Sequence, residues 1–342
     1  MRITIMGAGS WGTALAKLLA DNQHKVLLYD RAQNTIDEIN TQHSNLTKLP
    51  NSFLPETVKA TTDLVEAVSF SDIIVISVPT KVIRGVLGEI AQVIKTPKLI
   101  VNTSKGLEPE THKRVSEVTN EEIPENLLKG FVALTGPSHA EEVIIGLPTL
   151  VCSASENIED AKLIQTLFSN TSYFRVYTLT DLAGAELGGA LKNIYAIASG
   201  MLDGIGYGDN ARAALIARAL VEMRKLAIAL GAQEETLYGL TGLGDLVVTT
   251  SSRHSRNFQA GVKLTQGKNL NETINSIPMV VEGFRTTLAA YEAARELQIE
   301  TPIIDAVYNV IYLRQEVQTV VKELMMRSLK DEFIPFKMTK EN

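Results

Sequence analysis

Cysteine is almost missing from this chain of 342 residues: Cys152 stands alone. A single thiol cannot close an internal disulfide, so nothing in the sequence points to an oxidising compartment. Its surroundings, PTLVCSAS, are apolar, and the residue reads as a small buried hydrophobe, not a nucleophile. Long apolar runs are missing too. No stretch approaches the roughly 18 continuous apolar residues of a membrane span. The opening MRITIMGAGSWG is a short strand followed by glycines, without the charged start and long apolar segment of a secretion signal. A cytoplasmic chain that is not an integral membrane protein is expected. Positive charge is also in deficit, with 33 Lys and Arg against 39 Asp and Glu and a net charge of −6. Nucleic-acid binding is driven by phosphate neutralisation, so nucleic acid is not expected as a partner, although a local basic pocket for a small anion is still allowed. There is no HExxH and no paired Cys/His spacing around His139 or His254, and no metal site is expected.

What is present is ample core material, 45% apolar residues, over a length that exceeds one hydrophobic core and predicts two domains. The first half alternates short β-branched runs with helical patterns. Strands are predicted at 3–6, 26–29, 73–78, 99–102, 132–134, 150–153 and 174–177, with helices among them at 12–22, 82–93 and 158–168. Several of these strands are continuously apolar, as strands covered on both faces are, and the alternation predicts a doubly wound, mainly parallel sheet. After about Asp181 strands give way to helical spacing over 182–202, 210–230, 283–298 and 302–312, with a polar surface run at 265–278. The expected organisation is a nucleotide-binding α/β domain at 1–180, an all-α domain at 181–335 and a frayed tail at 336–342. With no Pro/Ser linker between them the domains should pack closely and leave a cleft for chemistry.

GAGSWG supplies Gly7, Gly9 and Gly12 directly after a strand and at the start of a helix. In that context the first glycine allows a tight turn, the second lets a pyrophosphate approach the backbone, and the third lets helix and strand pack closely. The helix N-terminus offers free N–H donors. Asp30 and Arg31 end the second strand, where a dinucleotide's ribose should lie. The acid suits the 2′-hydroxyl of NAD, the arginine suits the 2′-phosphate of NADP, and the choice stays open. Lys105 in VNTSKG follows a buried strand, on the ligand side of an open α/β sheet. In LTGPSHAEEV, Ser138 follows Gly136 and Pro137, and is either a helix cap or an anion contact. Asp245 follows the glycine-rich GLTGLG, and Ser255, Arg256 and Asn257 cluster as a compact phosphate clamp or a solvated turn. Glu282 stands where a helix starts. The oddest residue is Lys192 in GALKNIYAIASG, the one charged group in an apolar, small-residue helix. It either snorkels to water or works inside a site, with Gly188 and Gly189 beside it leaving room for a substrate.

Taken together, GAGSWGTALA, SKGLEPET, GPSHAEEV, GALKNIYAI, GYGDNARAAL, GLGDLVVT, HSRNF and VVEG resemble, in order and from residue 3 to about 312, the bacterial NAD(P)-dependent sn-glycerol-3-phosphate dehydrogenase family. The resemblance implies a Rossmann domain followed by a helical domain. It also implies reversible reduction of dihydroxyacetone phosphate to sn-glycerol 3-phosphate for phospholipid synthesis. Position by position it assigns Ser10, Trp11, Arg31, Lys105, Ala140, Arg256, Val280 and Glu282 to the NAD(P)H side. It assigns Lys105, Gly136, Ser138, Lys192, Asp245, Ser255, Arg256 and Asn257 to the phosphorylated substrate, with Lys192 as the proton donor and acceptor. Ala32 and Lys48 depart from residues that relatives often carry near the cofactor. A homodimer is left open.

The chemistry fits these residues independently. Hydride delivery to a ketone carbon leaves negative charge on oxygen, which needs a cation and a proton within hydrogen-bond reach. A lysine among apolar neighbours has its pKa lowered towards neutrality and can do both, with Asn193 and Asp245 orienting it. The alternatives are a ketopantoate reductase-like or opine dehydrogenase-like enzyme, or a non-catalytic NAD(P)-sensing module.

Overall fold

The computed structural model describes residues 1–253, 255–267, 270–277, 280–329 and 331–332. His254 and the tail expected at 336–342 lie outside the described residues.

Eight strands form one sheet. They are β1 (Arg2–Met6), β2 (Lys25–Tyr29), β3 (Val58–Thr61), β4 (Ile73–Ile76), β5 (Lys98–Asn102), β6 (Leu128–Thr135), β7 (Thr149–Ala154) and β8 (Phe174–Leu179). Their order in space is β3-β2-β1-β4-β5-β6-β7-β8, parallel everywhere except between β6 and β7. The doubly wound, mainly parallel sheet expected from the apolar runs is therefore present. One strand escaped that reading. β3, VKAT, is an edge strand with alternating burial, so it lacks the continuous apolar run that marks the central strands.

The helices of this part are α1 (Ser10–Asp21), α2 (Gln33–Gln42), α3 (Leu64–Phe70), α4 (Thr80–Val93), α5 (Val115–Glu122), α6 (Ala140–Val143) and α7 (Ile158–Phe168). They cover both faces of the sheet, as successive residues of one strand show. Ile73 and Val75 of β4 enter the core shared with α1, α2 and α7, while Ile74 and Ile76 enter the core shared with α3, α4 and α5. The strand order reverses between β1 and β4, so the loops that leave their carboxyl ends diverge and open the crevice where such sheets bind ligands.

From Leu182 onward the described elements are helical: α8 (Leu182–Gly204), α9 (Asp209–Ala229), α10 (Glu234–Tyr238), a π-helical turn at Leu240–Gly244, α11 (Asp245–Ser251), α12 (Arg256–Leu264), α13 (Leu270–Ser276), α14 (Glu282–Glu296), α15 (Pro302–Leu313) and α16 (Val317–Met325). α8 is the axis of this part. It is buried from Gly184 to Met201, packs against α9, α11, α12, α14 and α15, and touches β6. Asp181 caps it, accepting from the Gly184 N–H at 2.9 Å and, across the fold, from the Gln233 N–H at 2.8 Å. The run at 265–278 is not wholly a surface segment: it contains α13, whose Thr273 is buried, and Ile277 is buried after it. Among the described residues no helix is long and apolar enough to cross a membrane, and no group of three or more His, Cys, Asp or Glu is placed to hold a metal ion.

Candidate active site

The first glycine loop is tight behind and open in front. Gly7 has φ +109°, and a Cβ there would stand 2.5 Å from the Ser77 carbonyl oxygen at the end of β4, so only glycine lets the two loops of the crevice meet. A Cβ on Gly12 would lie 2.0 Å from the Gly7 carbonyl oxygen, which locks the start of α1 onto the turn. Around Gly9, by contrast, a Cβ would meet nothing within 4 Å, and no side chain caps α1. Free N–H donors at a helix start, beside a backbone with open space before it, fit the pyrophosphate of a dinucleotide.

The end of β2 is held by the same loop. The Asp30 carboxylate accepts from the Ala8 N–H and from the Ala32 N–H, each at 3.0 Å. The Arg31 guanidinium is paired with Glu89 of α4 at 2.5 Å. The Ser10 hydroxyl donates to the Lys48 carbonyl at 2.6 Å, and Trp11 packs half-buried against the core on the α1 side of the sheet.

Across the crevice two lysines share one buried carboxylate. Lys192 points from α8 to Asp245, the first residue of α11, and also donates to the Thr249 hydroxyl at 2.8 Å. Lys105, from the loop after β5, donates to the other Asp245 oxygen at 2.9 Å, to the Gly136 carbonyl at 2.6 Å and to Ser138 Oγ at 3.3 Å. Asp245 has no exposed surface and Lys192 only 6%. Burial pushes the Lys192 ammonium down to about 7, with Lys105 pushing the same way and Asp245 opposing. For Asp245 burial acts to raise the pKa, but the two ammonium groups outweigh it and hold the carboxyl below its ordinary value.

Local sequence explains this placement. The π-helical turn delivers Asp245 into α11, and Thr249, one helical turn later, lies on the same face. The turn is wedged against α8: a Cβ on Gly188 would be 2.5 Å from the Thr241 carbonyl oxygen. Gly188 and Gly189 thus do not leave room for a substrate, as the sequence suggested. Thr241 fills the space at Gly188, and at Gly189 a Cβ would lie 2.9 Å from the Thr135 hydroxyl and 3.7 Å from the Lys105 side chain.

A second set of contacts ties the helical part to the crevice. Glu282, at the start of α14, accepts from the Thr80 N–H at 3.0 Å and the Thr80 hydroxyl at 2.5 Å. It therefore caps α4, a helix of the sheet part, and does not act simply as an acid on its own helix. Asn257 donates to Asn193 at 2.8 Å and accepts from the Gly283 N–H at 2.9 Å, while Asn193 donates to the Lys105 carbonyl at 3.2 Å. Ser255 caps α12 by accepting from the Phe258 N–H at 3.3 Å, and the exposed Arg256 reaches the Val280 carbonyl at 3.3 Å.

Comparison with known proteins bears on this arrangement directly. A family model for the NAD-dependent glycerol-3-phosphate dehydrogenase N-terminus matches residues 2–161, and one for the C-terminus of the same family matches residues 181–322. The chain belongs to this family. A glycerol-3-phosphate dehydrogenase [NAD(P)+] of Geobacillus kaustophilus is 52% identical over 330 residues, 96% of each chain, and one of Enterococcus faecalis is 49% identical over 331 residues, 97% of each. The crystal structure of glycerol-3-phosphate dehydrogenase from Coxiella burnetii superposes with a TM-score of 0.89 at 38% identity, covering 95% of this chain and 99% of that one. As a member of the family the chain is an NAD(P)-dependent oxidoreductase, and the sheet-plus-helical architecture is the one its sequence suggested.

Within this dehydrogenase framework the residues singled out from sequence fall into separate groups. Lys105, Gly136, Ser138, Lys192 and Asp245 meet at one point, with Ala140 opening α6 just beyond Ser138. Gly7 and Gly9 form the loop on the far side of the crevice, Ser10, Trp11 and Gly12 open α1 directly after it, and Glu282 bridges to Thr80. Arg31 is turned to Glu89, and Asn257 is engaged at both ends by protein groups. Sequence reasoning missed Thr249 and Glu89, while Thr80 ends the segment ISVPT that follows a buried strand on the ligand side of the sheet. The spacing of Thr249 from Asp245 was a usable signal, since positions i and i+4 of a helix share a face.

Proposed function

We infer that this chain catalyses reversible hydride transfer between NAD(P)H and dihydroxyacetone phosphate, giving sn-glycerol 3-phosphate. The observation that carries the reading is the pair of lysines held on one buried carboxylate beside Gly136 and Ser138, across the crevice from a dinucleotide-type loop. The work divides between a dinucleotide-binding unit at 1–180 and a helical unit at 181–335.

The glycine loop with Ser10 and Trp11, together with Arg31, Lys105, Ala140, Arg256, Val280 and Glu282, would hold the dinucleotide, which supplies the hydride when bound. Lys192 works as the proton donor. Its Nζ is buried and close to neutral in pKa, so at physiological pH it exists in both forms and can give a proton to a nascent alkoxide or take one from an alcohol. Asp245 stays ionised and fixes the direction of the Lys192 amine, with Thr249 as the second anchor. Lys105, held by Gly136 and Ser138, places a second positive charge beside the developing oxyanion. Ser255, Arg256 and Asn257 sit at the N-terminus of α12, where helix donors and a guanidinium suit the substrate's phosphate. Arg256→Ala should chiefly raise KM for dihydroxyacetone phosphate.

A spectrophotometric assay tests the reading. Oxidation of NADH or NADPH is followed with dihydroxyacetone phosphate, with ketopantoate, and with pyruvate plus an amino acid. Turnover with dihydroxyacetone phosphate alone is expected; turnover only with another acceptor, or binding without turnover, would overturn it.

A further inference from the structure

At the end of β2 the chain pairs a cation with the carboxylate of a distant helix. Arg31 is exposed, and its guanidinium meets Glu89 of α4 at 2.5 Å. The neighbouring Asp30 is not available to move: its two oxygens hold the N–H groups of Ala8 and Ala32 and so fix the glycine loop and the start of α2. Any group that approaches Arg31 therefore meets a guanidinium already paired with Glu89, a carboxylate that, unlike Asp30, caps no backbone group. An unphosphorylated ribose, which needs only hydrogen bonds, is little affected by that charge. A 2′-phosphate carries close to two negative charges. It must draw the guanidinium away from Glu89 and then sit near the carboxylate it displaced.

We propose that Glu89 is a specificity-determining residue that holds this enzyme towards the unphosphorylated dinucleotide by competing with a 2′-phosphate for Arg31. Glu89 lies 58 positions from Arg31 in sequence and belongs to none of the glycine-loop or lysine clusters, so it acts only on the discrimination between cofactors. The inference rests on the placement of Arg31 at the adenosine end of the cofactor site.

An exposed ion pair is worth at most about a fivefold factor, to which like-charge repulsion adds a little. Glu89→Gln should tighten NADPH roughly 3- to 10-fold and leave NADH within about twofold. The readout is an equilibrium dissociation constant for each reduced cofactor, from the fluorescence of Trp11, the chain's one tryptophan, in the first turn of α1 directly after the glycine loop. In the double variant Glu89→Gln/Arg31→Ala the gain should vanish, because the freed guanidinium is what the phosphate would use. If Arg31→Ala weakens NADPH while Glu89→Gln changes nothing, the role of Glu89 is overturned and the placement of Arg31 stands. If Glu89→Gln tightens both cofactors equally, there is no discrimination and the inference is again overturned. If neither substitution moves either constant, it falls together with the placement of Arg31.

Discussion

Lys192 is a residue whose charge state is set by its neighbours. Removed from water it would be neutral; beside Asp245 it would be charged; with Lys105 a short distance away it settles to about 7. The sign of the resulting pH dependence follows. Ketone reduction needs the ammonium, so kcat/KM for dihydroxyacetone phosphate should fall as pH rises through about 7, while kcat/KM for sn-glycerol 3-phosphate oxidation needs the amine and should fall as pH drops through the same value. Asp245→Asn removes the group that opposes burial, so both limbs should move to lower pH, with turnover reduced; profiles measured in both directions check this. The lysine was conspicuous in the sequence because an ammonium is out of place in an apolar helix. Thr249 and Glu89 were not, because a threonine one turn along a helix and a surface glutamate have many ordinary uses. Only the fold brings Glu89 across 58 positions to Arg31.

At the scale of elements, the site depends on how closely the π-helical turn packs on α8. A methyl group on Gly188 would run into the backbone at Thr241, which cannot rotate away as a side chain would. Gly188→Ala should cost about 1–3 kcal/mol of stability. Because the turn leads straight into Asp245, it should also lower kcat more than it raises KM. Denaturation midpoints and steady-state kinetics separate the two effects. The strand and helix pattern was legible wherever an element is buried on both sides, since continuous apolar runs and helical spacing then coincide with burial. It failed at β3, whose edge position leaves only half of its residues a reason to be apolar, and at α10, α11, α13 and α16, helices too short to set a clear period.

For the molecule as a whole, two glutamates among the described residues are buried outside the hydrogen-bonded cluster of the crevice lysines. Glu222 accepts from the N–H groups of Ile303 and Ile304 at the start of α15, and Glu186 accepts from the Ser116 N–H and hydroxyl. Burial raises Glu222 to about 8 and Glu186 to about 7. A raised carboxyl means the folded state binds more protons than the unfolded one, so this contribution to stability is full below the ordinary glutamate range and is lost as pH rises through about 7 and 8. The thermal midpoint should therefore decline between about pH 6 and about pH 8, and the decline should be shallower in Glu222→Gln. The joining of the two parts through Glu282 and Thr80 had no sequence signal, since a capping acid is read against its own helix, not one 202 positions earlier. The most direct test of the central claim is the turnover of dihydroxyacetone phosphate by Lys192→Ala beside the unaltered enzyme. Loss of the proton donor should cut kcat by roughly 10²- to 10⁴-fold with NAD(P)H affinity kept within about twofold, whereas a variant turning over near the normal rate would contradict the account.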